Sequence, residues 1–437
     1  MRSFLLTITF LTSFIALAQP QKAEVYKLVQ NLKSGEYERV IEALDSSLMD
    51  KASPYDLKLA WENLVKRYGP YQDTIDFVQE ESGFSTNWKV GVAFEKDSAD
   101  LVFHFNSKHR LTGFAPRPYS LKIPYELPGY AKAKDFSEIP FVLESKGFKL
   151  PGILTLSTKS KGKSALVILA HGSGANTKDE FLGPNPIFKD IAYGLASKGI
   201  ATFRYDKRSL VYRNKMCANP DSFTVWEEVL EDILSAVDTF SSDERFEGVF
   251  VLGHSLSAYL VPRVAENRPQ LSGIISAAGP ARPLQTLVLE QYNYLQSIAD
   301  DPDDWIYTIK QLKRKVEFLE SDEFGYDADA QSLPLELPAA YYMDLKNYDP
   351  VQTALKAAVP LLVLQGKKDY QVVMADYERW KSGLTSCKKC QFKVYDKLGH
   401  GLFEGADVLG PKQYETVDHV NKAVIQDIAK FIKSNRP

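Results

Sequence analysis

The chain has 437 residues, 44% of them hydrophobic and 25% charged, which excludes a disordered or collagen-like protein and allows a sizeable buried core. Its net charge of -3 supplies no basic field to gather phosphates, so nucleic acid and anionic membranes are poor partners and a small molecule is a better one. At roughly 150 residues per domain, the length favours two domains.

Met1-Arg2-Ser3 precedes an apolar run from Phe4 to Leu17 that closes on Ala16-Leu17-Ala18, which predicts a secretory signal peptide over residues 1–18. An uncleaved N-terminal anchor is the alternative, disfavoured because the run is short. No later stretch approaches the ~20 apolar residues that cross a bilayer, so the expected mature protein is exported, periplasmic or secreted, without stable membrane insertion. Val25, Leu28, Val29 and Leu32, then Val40, Ile41 and Leu44, recur at helical spacing around a break at Lys33-Ser34-Gly35. A third helix is expected from Tyr55 to Arg67, where Gly69-Pro70 stops it. The period then changes to two, predicting strands near 74–79, 87–94, 99–105 and 111–114. Helices followed by a strand meander predict a small α+β domain over residues 21–115, joined by a linker, 116–135, to a second domain over 136–437.

The second domain alternates strand and helix. A hairpin is expected around Ser145-Lys146-Gly147, and the continuous apolar run Ala165 to Ala170 suits a buried parallel strand. Further strands are expected at 201–205, 249–252, 273–277, 361–364 and 391–395. Helices are expected at 185–198, 225–240, 255–267, 374–382 and 417–432. Such alternation predicts a mostly parallel sheet with helices on both faces, and ligands in such sheets bind beyond the carboxyl ends of the strands. An insertion over about 281–358, with helical stretches at 284–297 and 305–319, falls where a lid would cover that edge. Residues 281–349 carry 14 acidic and 6 basic side chains, a negative rim that disfavours anionic substrates or else a solvated helix face. Trp305, Tyr307, Tyr326, Tyr341 and Tyr342 are candidates for an acyl or sugar pocket, with ordinary packing the alternative.

Chemistry concentrates at that edge. The strand at 249–252 runs through Gly253-His254-Ser255-Leu256-Ser257 straight into a helix, an elbow that lifts a serine hydroxyl above the sheet where flanking side chains must be small. Ser257 stands where glycine is usual. A helix-capping serine is the plainer reading of this motif alone. The strand ending at Ala170 delivers His171-Gly172-Ser173-Gly174, a glycine-rich loop able to bring a backbone N–H close to a developing oxyanion; the Ser173 and Leu256 amides are the candidate donors. His171 is read as bracing that loop. Serine needs a base, and of six histidines His400, in a glycine-flanked loop after the strand at 391–395, stands in the expected place. His104 and His109 lie in the first domain, His254 in the elbow and His419 in the predicted last helix. Asp369, just beyond the strand at 361–364, is the candidate for orienting His400, with Asp376 and Asp396 as weaker competitors. Ser255, Asp369, His400 is the chain order of α/β-hydrolase triads. No metal or cofactor is called for.

Three cysteines leave at least one thiol unpaired in the monomer. Cys387-Lys388-Lys389-Cys390 is expected to close a local disulfide; a redox dithiol would open a helix, whereas this motif lies between a helix and a strand. Cys217 has no assigned role.

Over roughly Phe136 to Pro437 these parts resemble the α/β-hydrolase superfamily. With Leu111-Thr112-Gly113-Phe114 before a Pro-rich linker, Leu150-Pro151-Gly152, and Tyr205-Asp206-Lys207-Arg208-Ser209, where glycine is common at the last place, the chain is similar to bacterial EstD-type serine esterases. In that branch a small module similar to nuclear transport factor 2 precedes the hydrolase. The resemblance implies an α/β-hydrolase fold with a helical lid, and hydrolysis of small-molecule carboxylic esters, usually of short acyl groups or acylated sugars. A serine peptidase or aminopeptidase of the same fold, or a non-catalytic binding protein on that scaffold, are the alternatives.

Overall fold

The structure, a computed structural model, describes residues 12–49, 52–82, 85–106, 108–118, 124–160, 162–408 and 410–437. They divide into two compact units, one ending at Pro124 and one spanning Tyr125–Pro437. Residues 1–11 of the expected signal peptide lie outside the described residues, and the first helix begins at Thr12. Among the described residues no helix is long and apolar enough to cross a membrane.

In the first unit, helices α1 (Thr12–Ser34), α2 (Tyr37–Glu42), α3 (Ser46–Met49) and α4 (Pro54–Tyr68) precede strands β1 (Tyr71–Ser82), β2 (Ser85–Phe94), β3 (Ser98–Phe105) and β4 (Leu111–Pro118). The strands form an antiparallel meander in chain order. Helix α4 starts cleanly because Ser53 and Asp56 close a capping box and Pro54 supplies a preset φ. Val25, Leu28, Val29 and Leu32 of α1, with Leu57, Trp61 and Leu64 of α4, bury against the period-two face Trp88, Val90 and Val92 of β2.

The second unit holds β5 (Phe136–Ser145), β6 (Phe148–Ser157), β7 (Ser164–Ala170), the two-residue ladder β8 (Phe181–Leu182) and β9 (Asn185–Pro186), β10 (Ala201–Tyr205), β11 (Phe246–His254), β12 (Gly273–Ala277), β13 (Leu361–Gly366) and β14 (Cys390–Tyr395). Its helices are α5 (Ile187–Ala196), α6 (Arg208–Tyr212), α7 (Glu231–Ser241), α8 (Leu256–Asn267), α9 (Leu284–Ser297), α10 (Asp303–Glu320), α11 (Ala339–Leu345), α12 (Pro350–Ala357), α13 (Met374–Gly383) and α14 (Lys422–Ser434). Eight strands make one sheet in the order β14-β13-β12-β11-β7-β10-β6-β5. It is parallel from β14 to β10, while β6 and β5 join antiparallel.

Alternation along β7 explains the layering. Leu166, Ile168 and Ala170 pack with Ile233 and Val237 of α7 and Leu260 and Val264 of α8. Ala165, Val167 and Leu169 pack on the other face with Phe188 and Ile191 of α5 and Val424 and Ile428 of α14. A strand buried on both faces has no polar residues to alternate with, hence the unbroken apolar run. This is the α/β-hydrolase architecture, with a small antiparallel sheet domain ahead of it.

Among the expected boundaries that move are three helix starts. The last helix starts at Lys422 and not at Val417, because the Asn421 side chain caps it by accepting the Ala423 N–H at 2.9 Å. His419 therefore precedes the helix, its Nδ1 3.1 Å from Asp190, whose carboxylate also accepts the Val420 N–H at 2.9 Å. The helix expected from Asn185 begins at Ile187, since Asn185 and Pro186 pair with Phe181 and Leu182. The helix expected from Val225 opens with a π turn, Trp226–Leu230, an irregularity with no signature in apolar spacing.

Cys387 and Cys390 are disulfide-bonded, and Cys217 is free. Closing so short a loop removes little chain entropy, about 2 kcal/mol by loop-length scaling. The double substitution Cys387→Ser/Cys390→Ser is expected to lower Tm by only a few degrees and leave turnover unchanged, as thermal melts and rate assays will show.

Candidate active site

Strand β11 delivers Ser255 at φ 53° and ψ -114°, and α8 begins one residue later. That backbone region costs a non-glycine residue about 1–3 kcal/mol and persists only when its surroundings impose it. Here the Ser255 N–H donates to the Ala277 carbonyl at 3.0 Å, and the Ser255 carbonyl accepts the Tyr259 N–H at 3.1 Å. The turn is tight enough that a Cβ at position 253 would lie 2.5 Å from the Ser257 backbone, which accounts for Gly253. Ser257 itself fits. Its side chain is buried, and its hydroxyl donates to the His171 carbonyl, tying the start of α8 to the loop after β7.

That loop and the elbow meet because β7 and β11 are adjacent, with Ala170 paired to Gly253, while the chain leaves them in opposite directions across the sheet. Loops that diverge in this way open a crevice at the carboxyl edge. Ser173, Leu256 and Ser255 line one cavity there, of about 460 Å³. Leu256 is the first residue of α8, so its N–H has no intrahelical acceptor. The buried His171 ring donates from Nε2 to the Thr177 carbonyl at 3.1 Å. Desolvation pushes His171 down to about 4 despite the pull of Glu180, so it is neutral and braces the loop.

Asp369 follows β13. One of its oxygens accepts the Gln371 and Val372 N–H groups at 2.8 and 2.9 Å, which fixes the carboxylate. The other lies 2.8 Å from His400 Nδ1. A carboxylate can only accept, so Nδ1 carries the proton and Nε2 is left as the basic nitrogen of the neutral ring. The His400 ring packs against that of His254, the residue before Ser255, at 4.7 Å between centroids and tilted by 52°. The competing acids are otherwise engaged. Asp376 is buried, accepts the Ala281 and Arg282 N–H groups and pairs with the Arg282 guanidinium. Asp396 is exposed and pairs with Lys367 at 2.7 Å.

The cavity is walled mainly by apolar side chains, including Met216, Phe223, Leu287, Val288, Leu337 and Tyr341. Of the five aromatic candidates, Tyr341 alone lines it. Tyr307 and Tyr326 are 72% and 76% exposed, Trp305 packs edge-on against Tyr292, and Tyr342 donates to the Pro334 carbonyl beside a neighbouring cavity. Arg282 also reaches the wall, clasped by Glu290 and Asp376.

A family profile described as serine aminopeptidase, S33, in the Hydrolase_4 group, matches residues 162–407. The chain belongs to this family. It is also similar to Esterase EstD of Thermotoga maritima, with 32% identity over 411 residues, covering 94% of each chain. Among solved structures, Est1E from Butyrivibrio proteoclasticus shares 16% identity over 68% of this chain and 96% of its own, with a TM-score of 0.41. Proline iminopeptidase from Mycobacterium smegmatis shares 16% identity over 68% and 98%, with a TM-score of 0.46.

In this member of the S33 family two buried residues outside the sequence expectation hold the site together. Glu180 accepts the Gly172 N–H at 2.7 Å and faces His254 Nδ1 at 3.1 Å, while His254 Nε2 lies 3.0 Å from the His400 carbonyl. With an acceptor at each ring nitrogen, His254 satisfies both only as imidazolium. Burial works against either charged form. The pairing outweighs it, holding His254 above its ordinary 6.5 and Glu180 below its ordinary 4.5. The His254 contribution to stability is complete below pH 6.5 and is lost as pH rises through the raised value. The Glu180 contribution is complete above pH 4.5 and is lost as pH falls through the lowered value. Stability from the pair therefore peaks between these limits. Glu180→Gln is expected to flatten the alkaline fall of Tm; an unchanged alkaline limb in the variant excludes the pair as its source. No spacing rule links residues 74 apart, and a carboxylate in the loop after the glycine-rich turn was the only available signal.

Proposed function

We propose that the protein is a carboxylic ester hydrolase that works through an acyl-enzyme. Ser255 Oγ attacks the ester carbonyl while His400 Nε2 takes its proton, and Asp369 holds the ring and stabilises the imidazolium. The Ser173 and Leu256 N–H groups donate to the oxyanion of the tetrahedral intermediate. His400 then gives its proton to the departing alcohol. A water deprotonated at the same nitrogen attacks the acyl-enzyme, and collapse of the second intermediate releases the acid.

The observation that carries this reading is the strained Ser255 elbow on an apolar cavity, next to a buried Asp369–His400 pair with its basic nitrogen fixed. An aminopeptidase must hold the ammonium of its substrate with an anion. The carboxylate in this cavity wall, Glu228, is already paired with Lys207 at 2.8 Å and accepts the Tyr341 hydroxyl at 2.7 Å, which favours esters over amino-terminal peptides. The similarity to an esterase supports the same choice. A cavity of about 460 Å³ with mostly apolar walls suits short acyl groups or acylated small molecules, sugars among them. Export belongs to the proposal: the N-terminal apolar run and the Cys387–Cys390 disulfide both suit an oxidising compartment. We read the first unit as a module similar to nuclear transport factor 2.

Fluorophosphonate labelling tests the mechanism. Covalent attachment at Ser255 is expected, and its absence in folded protein favours a binding protein. p-Nitrophenyl acetate through octanoate should then be hydrolysed well ahead of aminoacyl anilides; the reverse order would make the protein a peptidase.

A further inference from the structure

A trans peptide unit points its C=O and its N–H in opposite directions. The structure contains no cis peptide bonds among its described residues, so the direction of the Ser173 N–H is set by whatever grips the Gly172 oxygen. Lys207 Nζ donates to that oxygen at 2.8 Å, and the Asn176 side-chain amide is a second, longer donor at 3.4 Å. Lys207 is 2% exposed, at the end of β10, and its second contact is Glu228 Oε1, also at 2.8 Å. Glu228 Oε2 in turn accepts the Tyr341 hydroxyl at 2.7 Å. The Gly172 N–H is held as well, by Glu180 at 2.7 Å. Burying an ammonium is costly unless it is paired and hydrogen-bonded, so a lysine enclosed here to hold one backbone carbonyl needs a reason.

The second candidate donor gives a comparison. The Leu256 N–H shares its peptide unit with the Ser255 carbonyl, which accepts the Tyr259 N–H inside α8. Each donor is thus aimed by a grip on the oxygen of its own peptide. For Leu256 the grip is a neutral helix amide, and for Ser173 the shorter of two bonds comes from a cation.

Resting on the acyl-enzyme reading above, we propose that Lys207 is a positioning residue for the oxyanion hole. It turns the Gly172–Ser173 peptide so that the Ser173 N–H faces the carbonyl attacked by Ser255, and it polarises that amide. A charge-assisted bond to the oxygen is roughly twice as strong as a neutral one and draws electron density away from the nitrogen, making its N–H a better donor. Glu228 and Tyr341 hold the lysine in place.

The test compares p-nitrophenyl esters with their thionoester counterparts. Sulfur is a weak hydrogen-bond acceptor, so an enzyme that relies on its hole prefers the oxoester, and the ratio of kcat/KM values reads the hole directly. Lys207→Met leaves Glu228 without its cation, so Lys207→Met/Glu228→Gln is made as well, removing both buried charges together. In both variants, with folding checked by circular dichroism, kcat on the oxoester is expected to fall about 10- to 100-fold, less than or comparable to losing one whole donor. KM should change little, and the oxo-to-thiono ratio should shrink about tenfold. A folded double variant with wild-type kcat and ratio overturns the proposal. So does a fall in kcat with the ratio unchanged, which would make Lys207 a structural support only. A wild-type enzyme that labels at Ser255 but shows no oxoester preference overturns the hole itself, and one that does not label overturns the acyl-enzyme reading beneath both.

Discussion

Ser255→Ala is expected to lower kcat on p-nitrophenyl esters by at least about 10⁴-fold, because the nucleophile acts as a unit with its base and the remaining partners retain only oxyanion binding and orientation. Tm should stay close to wild type, since the alanine keeps φ 53° and both backbone hydrogen bonds of the elbow. Ser255→Gly should be equally inactive yet more stable than Ser255→Ala by about 1 kcal/mol, because glycine accepts the elbow conformation without the steric penalty. Equal melting temperatures for the two variants would mean that the elbow stores no strain. Activity surviving in Ser255→Ala would move the nucleophile elsewhere.

Asp369→Asn is expected to cost about 10⁴-fold in kcat with the fold intact. The loss follows from hydrogen-bond direction. The oxygen that accepts the Gln371 and Val372 N–H groups must remain an oxygen, so the new amide NH₂ takes the place facing His400 Nδ1. An NH₂ needs an acceptor there, which moves the ring proton to Nε2 and leaves no lone pair for the Ser255 proton. Single-turnover kinetics above and below neutrality will show the loss; a variant with wild-type turnover would show that Asp369 does not set the tautomer.

Much of the architecture is legible in the chain, because a parallel sheet buried on both faces writes itself as apolar runs such as Ala165 to Ala170, separated by amphipathic helices. Once the strands are placed, their carboxyl ends select Gly253 to Ser257, Asp369 and His400 on positional grounds. The interactions that brace these residues are not legible. Glu180 with His254 and Lys207 with Gly172 join separate loops through single hydrogen bonds, and a single contact has no period. The start of α14 misled for a related reason. Val417 and Val420 continue the apolar spacing of the helix, and Val420 is indeed buried, but its N–H is captured by Asp190, far away in sequence. Tyr307 and Tyr326 show the same limit from the other side, since aromatic content alone does not say which ring faces a cavity and which faces water.

The wall of the Ser255 cavity draws Leu284, Leu287, Val288, Tyr292, Leu337 and Tyr341 from the insertion between Arg282 and Pro350, whereas Ser173, Ser255, Leu256, Asp369 and His400 all lie outside it. Arg282 anchors the first end of that stretch on Asp376, and Asp349 closes the other by capping α12. Much of the apolar wall is thus fastened separately from the residues that break the bond, with Met216 and Phe223 completing it from outside the insertion and Tyr341 reaching back to Glu228. The choice of ester can drift or be re-engineered within that one length, provided Tyr341 is kept to hold Glu228 and Lys207.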